Sequence, residues 1–204
     1  MQGGLRIILS ILTSYMLGAV PFSYIMGKLL RGIDLREHGS GNLGAANTFR
    51  VLGPGAAIPV LLADIGKGFL AVRLVPVFGL EDQAFVLLAA LIVILGHNYS
   101  IFLGFSGGKG VGTTTGAFLA MAPVAVGICF AVWVIVLAVS RIVSVASMTA
   151  ALLLPVSVVA SDEVFGRDSH PSILYLALLV AVIVVYKHRS NIRRLREGKE
   201  RKIF

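Results

Sequence analysis

Three polar strings carry the residues able to do chemistry: GSGNLGAANTFR from Gly39 to Arg50, GGKGVGTTTG from Gly107 to Gly116, and HRSNIRRLREG from His188 to Gly198. Arg50 and Lys109 can neutralise oxyanions, and Ser40, Asn42, Asn47 and Asn191 can hydrogen-bond them. The glycines beside them, Gly41, Gly107, Gly108 and Gly110, leave backbone N–H groups open to converge on an anion. The chemistry that suits this set is the handling of phosphate. For Gly44, Gly53, Gly96 and Gly116 the better reading is close packing between helices.

Each string has a misleading match. GSGNLG fits the dinucleotide fingerprint G-x-G-x-x-G, but the preceding RGIDLREH is polar and no βαβ unit surrounds it. In GGKG, Lys109 is followed by Gly110 rather than Ser or Thr, and Leu103 stands where a phosphate-loop NTPase has its leading glycine. Nucleotide hydrolysis is excluded on those grounds. With four residues intervening, His38, His97, His170 and His188 are followed by Leu43, Phe102, Tyr175 and Arg193, so the His-Asp pair of many soluble acyltransferases is absent. No array of aspartates points to a metal, no cofactor is expected, and nothing suggests a nucleic-acid partner. Cys129 lies inside an apolar run, where packing is its expected role. His38 and His170 read as surface residues.

The elements that hold these strings are dictated by composition. With 57% hydrophobic residues, 14% charged residues and a mean hydropathy of +0.91, this is an integral membrane protein. At ~20 residues per span the 204-residue chain has room for about seven crossings in one all-α bundle, residues 1–204, with no separate soluble domain. Expected spans are Leu5–Leu30, Val51–Phe78 interrupted by Asp64, Gly66 and Lys67, Ala84–Leu103, Thr113–Ser140, Ile142–Ala160 and Ile173–Tyr186. Thr113–Ser140 is too long for one straight helix, and Pro123 breaks it into two shorter ones. The first segment is a membrane helix and not a cleaved signal, because no A-x-A-like site follows it.

Orientation follows from the distribution of cations. Lys28, Arg31, Arg36 and Arg50 surround the first string, Lys109 sits in the second, and most of the net charge of +8 lies in the basic tail, residues 187–204. Glu81–Asp82 and the Ser161–His170 loop, holding Asp162, Glu163 and Asp168 against Arg167, are the acidic counterparts. An odd number of crossings with the N-terminus outside and the C-terminus cytoplasmic puts all three strings on the cytoplasmic side. The tail would also touch anionic lipid.

Read together, GSGNLGAANTFR, GHNYSIFLGFSGGKGVGTT from Gly96 to Thr114 and HRSNIRRLREGKE from His188 to Glu200 resemble the three motifs of the bacterial acyl-phosphate:glycerol-3-phosphate acyltransferase family. The motifs occur in order across the whole chain, and DIGKG from Asp64 to Gly68 is a softer match between the first two. The resemblance implies a seven-crossing protein of the bacterial cytoplasmic (inner) membrane, with its active site at the cytoplasmic face. It implies transfer of a fatty acyl group from acyl phosphate to the 1-hydroxyl of glycerol 3-phosphate, giving lysophosphatidate and phosphate without an acyl-enzyme, the donor's own phosphate accepting the hydroxyl proton. Ser40, Arg50, Lys109, His188 and Asn191 would then bind and orient the two phosphates, and Gly41, Asn42, Asn47, His97, Gly107, Gly108, Gly110 and Thr113 would shape the pocket. Two positions depart from the family pattern: Ala46 stands where Thr is usual, and Ser106 where a basic residue is common. The alternative reading is a transporter for a phosphorylated small molecule. It would place broken helices near the bilayer midplane in two related halves, and this chain shows no internal repeat.

Overall fold

A computed structural model describes residues 2–165 and 171–203 of the protein. The described residues are helical apart from two short 3-10 turns, connecting loops and an isolated bridge between Ser100 and Ser106. The helices are α1 (Gln2–Ala19), α2 (Phe22–Arg31), α3 (Ala45–Leu52), α4 (Pro54–Arg73), α5 (Gln83–Asn98), α6 (Val111–Met121), α7 (Pro123–Ser140), α8 (Val143–Phe165), α9 (Pro171–Lys187) and α10 (Arg189–Arg196). The break at Pro123 is where its missing N–H and fixed φ require it.

Local chemistry overrides the apolar pattern in several places. The apolar run Leu5–Leu30 is divided at Val20–Pro21 into α1 and α2, because Pro21 cannot donate into the ladder. The first polar string is not all loop: its second half is α3, which carries Asn47 and Arg50. The expected outer loop begins as helix, since α8 runs on to Phe165, while Arg167, Asp168 and His170 lie outside the described residues. Gly53 packs against nothing among the described residues. At φ 86° it is the hinge between α3 and α4, a conformation that L side chains avoid. Gly44 caps the start of α3 in an extended conformation, so neither glycine serves the packing role expected of it.

Gly3–Arg31, Pro123–Ser140 and Val143–Val164 are long and apolar enough to cross a membrane, and Pro171–Lys187 with Arg189–Arg196 would add a fourth span bent by 55°. Gln83–Asn98 and Val111–Met121 are shorter apolar helices. Leu5, Ile8, Ile135, Val139 and Val182 project from these helices with large apolar side chains exposed, as lipid-facing residues do.

The chain forms two compact units, Met1–Ala120 and Met121–Phe204. In the first, small residues bring backbones together: a Cβ on Gly18 would strike the Val93 carbonyl, and one on Gly96 would meet the Tyr15 carbonyl, seating α1 along α5. Gly68 and Gly116 do the same between α4 and α6. In the second unit α8 lies between α7 and α9. Cys129 is buried there with Sγ 3.5 Å from the Ser157 hydroxyl, consistent with packing.

Candidate active site

The first string is organised by Asn47, which sits on α3 and is 1% exposed. Its Oδ1 accepts from the Ser40 N–H (2.7 Å) and the Ser40 hydroxyl (3.1 Å), and its Nδ2 donates to the Leu35 and His38 carbonyls, both at 3.1 Å. An amide has two acceptor sites and two donors, so the loop uses the whole side chain. Asn47 is therefore a strut that presents Ser40. The helix beneath is pinned by a 2.8 Å hydrogen bond between the Ser23 and Thr48 hydroxyls, which ties α3 to α2. Arg50, half-buried, projects from the last turn of α3, and Asn42 is half-buried in the loop with Gly41 exposed beside it.

Cations gather around this loop. Arg36 chelates Asp34 through Nε and Nη2, the shortest contact being 2.6 Å, and this hydrogen bonding holds the Asp34 carboxyl below its ordinary value. Arg36 and Lys28 both lie over the Tyr24 ring, 5.5 and 5.8 Å from its centroid. His38 is exposed, as expected, with Nδ1 2.8 Å from the Asp34 carbonyl.

The second string is a glycine loop locked against the end of α5. The Gly108 N–H donates to the His97 carbonyl at 3.1 Å. A Cβ on Gly107 would collide with that carbonyl, and one on Gly108 with the His97 ring and the Leu43 carbonyl. Through Leu43, then, the first and second strings touch. Gly110, at φ 81°, turns the chain into α6. Lys109 sits half-buried between these two glycines. One turn later Thr113 is fully buried, and its hydroxyl has no hydrogen-bond partner among the described residues, whereas Thr115 bonds back to Val111. Ser106 is exposed just before the loop, and Ala46 is half-buried at the start of α3.

His188 and Asn191 belong to the second unit. The His188 Nδ1 is 2.8 Å from the Val184 carbonyl, so Nδ1 carries the proton and, in the neutral ring, Nε2 is the acceptor. Asn191 is 3% exposed and donates to Glu200 at 2.5 Å. Glu200 also accepts from Arg194 Nε at 2.7 Å and from the Ser144 hydroxyl at 2.8 Å. Burial pushes the Glu200 carboxyl up, but these donors outweigh it and leave it below its ordinary value. The last residues thus fold back on the unit, with the Ile203 N–H on the Arg141 carbonyl at 2.8 Å.

Sequence reasoning placed Glu200 and the pair Asp64–Lys67 inside matched strings but gave them no role. Glu200 had a signal: it ends the third motif as an acid in a strongly basic tail. Asp64 and Lys67 had another, opposite charges three residues apart in an apolar helix.

The ordered motifs, the glycine loop and the buried polar hubs extend over nearly the whole chain, and so does the match to known proteins: the family model described as glycerol-3-phosphate acyltransferase covers residues 8–198. The chain belongs to the glycerol-3-phosphate acyltransferase family. A family member from Carboxydothermus hydrogenoformans, named glycerol-3-phosphate acyltransferase, is 42% identical over 197 residues, 97% of this chain and 96% of its own. Another from Parasynechococcus marenigrum is 43% identical over 200 residues, 98% and 91% of the two chains. The crystal structure of PlsY, an integral membrane glycerol 3-phosphate acyltransferase, in its glycerol 3-phosphate form matches with a TM-score of 0.85 at 34% identity, covering 96% of this chain and 94% of that one. The lysophosphatidic acid form gives 0.84 at 32% identity. The resemblance drawn from the three motifs is thereby borne out, and the chain is an all-helical integral membrane acyltransferase of this family.

Proposed function

We propose that the chain transfers a fatty acyl group from acyl phosphate to the 1-hydroxyl of glycerol 3-phosphate, at the cytoplasmic face of the bacterial inner membrane. The observation that carries this reading is the glycine loop held on His97 and Leu43, which sets Lys109 between Gly108 and Gly110 next to the Ser40 loop. A cation in a glycine-rich loop, with a serine loop beside it, suits a phosphate dianion. The glycerol 1-hydroxyl attacks the acyl carbonyl, a C–O bond forms, the bond from the carbonyl carbon to the phosphate oxygen breaks, and the departing phosphate takes the hydroxyl proton. The anhydride is already activated, so no nucleophilic side chain is required. Proximity and charge neutralisation then supply the rate.

Within the first unit, Ser40, Arg50 and Lys109 bind phosphate, Gly41, Asn42, Gly107, Gly108, Gly110 and Thr113 line that pocket, and Asn47 and His97 shape it. His188 and Asn191 keep, as part of the proposal, the phosphate-handling role that the third motif implies. About seven crossings with the N-terminus outside and the C-terminus in the cytoplasm fit the cation distribution along the chain.

Purified protein is offered glycerol 3-phosphate with acyl phosphate, acyl-CoA or acyl carrier protein in turn. Phosphate release matched by lysophosphatidate formation with acyl phosphate alone is the expected result. Turnover with a thioester alone overturns the donor, and solute flux into vesicles without acyl transfer overturns the reaction.

A further inference from the structure

Asp64 and Lys67, which the reaction above does not use, form a buried ion pair in α4, with Lys67 Nζ 2.8 Å from Asp64 Oδ1. Their side chains are 7% and 3% exposed. A buried pair of this kind is weak evidence for stability, because apolar residues of similar volume often do as well or better. Its connections point to a different use. Lys67 Nζ donates to the Val20 carbonyl at 3.0 Å, one of the carbonyls freed where Pro21 breaks α1 from α2, and lies 5.5 Å from the Phe22 ring centroid. The neighbouring carbonyl, Ala19, is taken by the Ser100 hydroxyl at 2.6 Å.

Asp64 faces both ends of the glycine loop. On the entering side His97 Nδ1 lies 3.4 Å from Asp64 Oδ1. The carbonyl of the same His97 receives the Gly108 N–H, and a Cβ on Gly108 would collide with the Nε2 of its ring. On the leaving side, a Cβ on Gly112 would stand 3.2 Å from the Asp64 Cβ, so α6 is seated directly on this residue. Val20, Leu43, Asp64, His97, Gly107 and Gly108 all line one narrow cleft.

We propose that Asp64, held by Lys67, is a positioning residue: it orients His97 and through it sets the Gly107–Gly110 loop, while Lys67 ties the same unit to the break between α1 and α2. The inference rests on the reading of that loop as the phosphate cradle. An imidazole whose Nδ1–H faces a carboxylate presents Nε2 in a single orientation, which is how carboxylate–histidine pairs fix ring geometry elsewhere. Without the carboxylate the ring loses the partner of its Nδ1–H, and the wall that it forms against Gly108 is less well defined. The pair then contributes to the position of Lys109 without either residue touching substrate.

The test uses the full chain in detergent or nanodiscs. Asp64→Leu combined with Lys67→Met removes both charges and the acceptor facing His97, and leaves no buried ion uncompensated, so the variant is expected to fold. A purely structural pair predicts wild-type kinetics for it. The positioning role predicts a tenfold or greater loss in kcat/KM for glycerol 3-phosphate, at least tenfold faster amide exchange confined to residues 107–110, and no more than about a twofold further loss when His97→Gln is added. Wild-type kinetics, exchange unchanged in the loop, or losses that multiply fully with His97→Gln would each overturn the proposal. In the unaltered protein, nitrogen-15 NMR should find His97 protonated on Nδ1, and a neutral ring protonated on Nε2 overturns the proposal without any variant. Failure of the proposed acyl transfer would show as an inactive unaltered protein, whereas the exchange and tautomer results do not depend on turnover.

Discussion

Asn47→Ala removes four hydrogen bonds at once and touches no proposed charge. At about 1 kcal/mol net for each bond, the ordered form of the 35–44 loop loses about 4 kcal/mol. Part of that loss is recovered by water, since Ser40 is only half-buried and His38 is exposed. The helix itself should persist, because Thr48 remains bonded to Ser23 and to the Gly44 carbonyl. The perturbation therefore falls on the placement of Ser40. If the remaining energy appears in the transition state, kcat/KM drops by about 10², each 1.36 kcal/mol being tenfold. Phosphate release from acyl phosphate and glycerol 3-phosphate measures it, with amide exchange over residues 36–44 rising in parallel. Asn47→Asp should be no better: one oxygen can still accept from Ser40, but the other would face the Leu35 and His38 carbonyls, each 3.1 Å from the present donor. Turnover of Asn47→Ala within threefold of wild type, with the loop equally protected, would refute the strut.

Lys109→Ala should lower kcat by about 10², a cost of about 2.7 kcal/mol, in a protein that still inserts and stays monodisperse. Lys109→Arg should be a poor substitute, because a planar guanidinium fork does not reproduce a compact ammonium; near-wild-type turnover would remove Lys109 from the site. Glu200→Gln should lower the melting temperature at pH 7. The folded carboxyl is depressed from 4.5, so its stabilisation is full above that value and fades as pH falls through the folded pKa; the gap between variant and wild type should close in acid. Cys129→Ser should retain activity, and a stable acylated enzyme formed from donor alone would contradict direct transfer. Cysteines placed near Ser40, Ser106 and Ser190 should label from the cytoplasm, and one near Asp82 from outside; external labelling at Ser190 would reverse the topology.

Composition alone determined that the chain lives in a membrane, and residue type with local spacing determined where phosphate chemistry could sit. A glycine-rich string with one lysine is legible because backbone freedom and charge are properties of the residues themselves. Pro123 was legible for the same reason: its missing N–H acts wherever the residue stands. Pro21 has the same property, yet the continuous apolar run around it hid the break. What the string could not reveal is who receives each donor. Asn47 reads as a ligand in sequence and becomes a strut only once the Leu35 and His38 carbonyls are folded over it. Glu200 reads as a stray acid in a basic tail until Ser144, 56 residues away in the chain, donates to it. Asp64 and Lys67 are recognisable as a pair from their i,i+3 spacing, but the link to His97 and to the carbonyl freed at Val20 exists only in three dimensions. The physical reason is range: propensity, backbone freedom and formal charge are carried by each residue, whereas a hydrogen bond is decided within about 3 Å, a separation that only tertiary folding brings about.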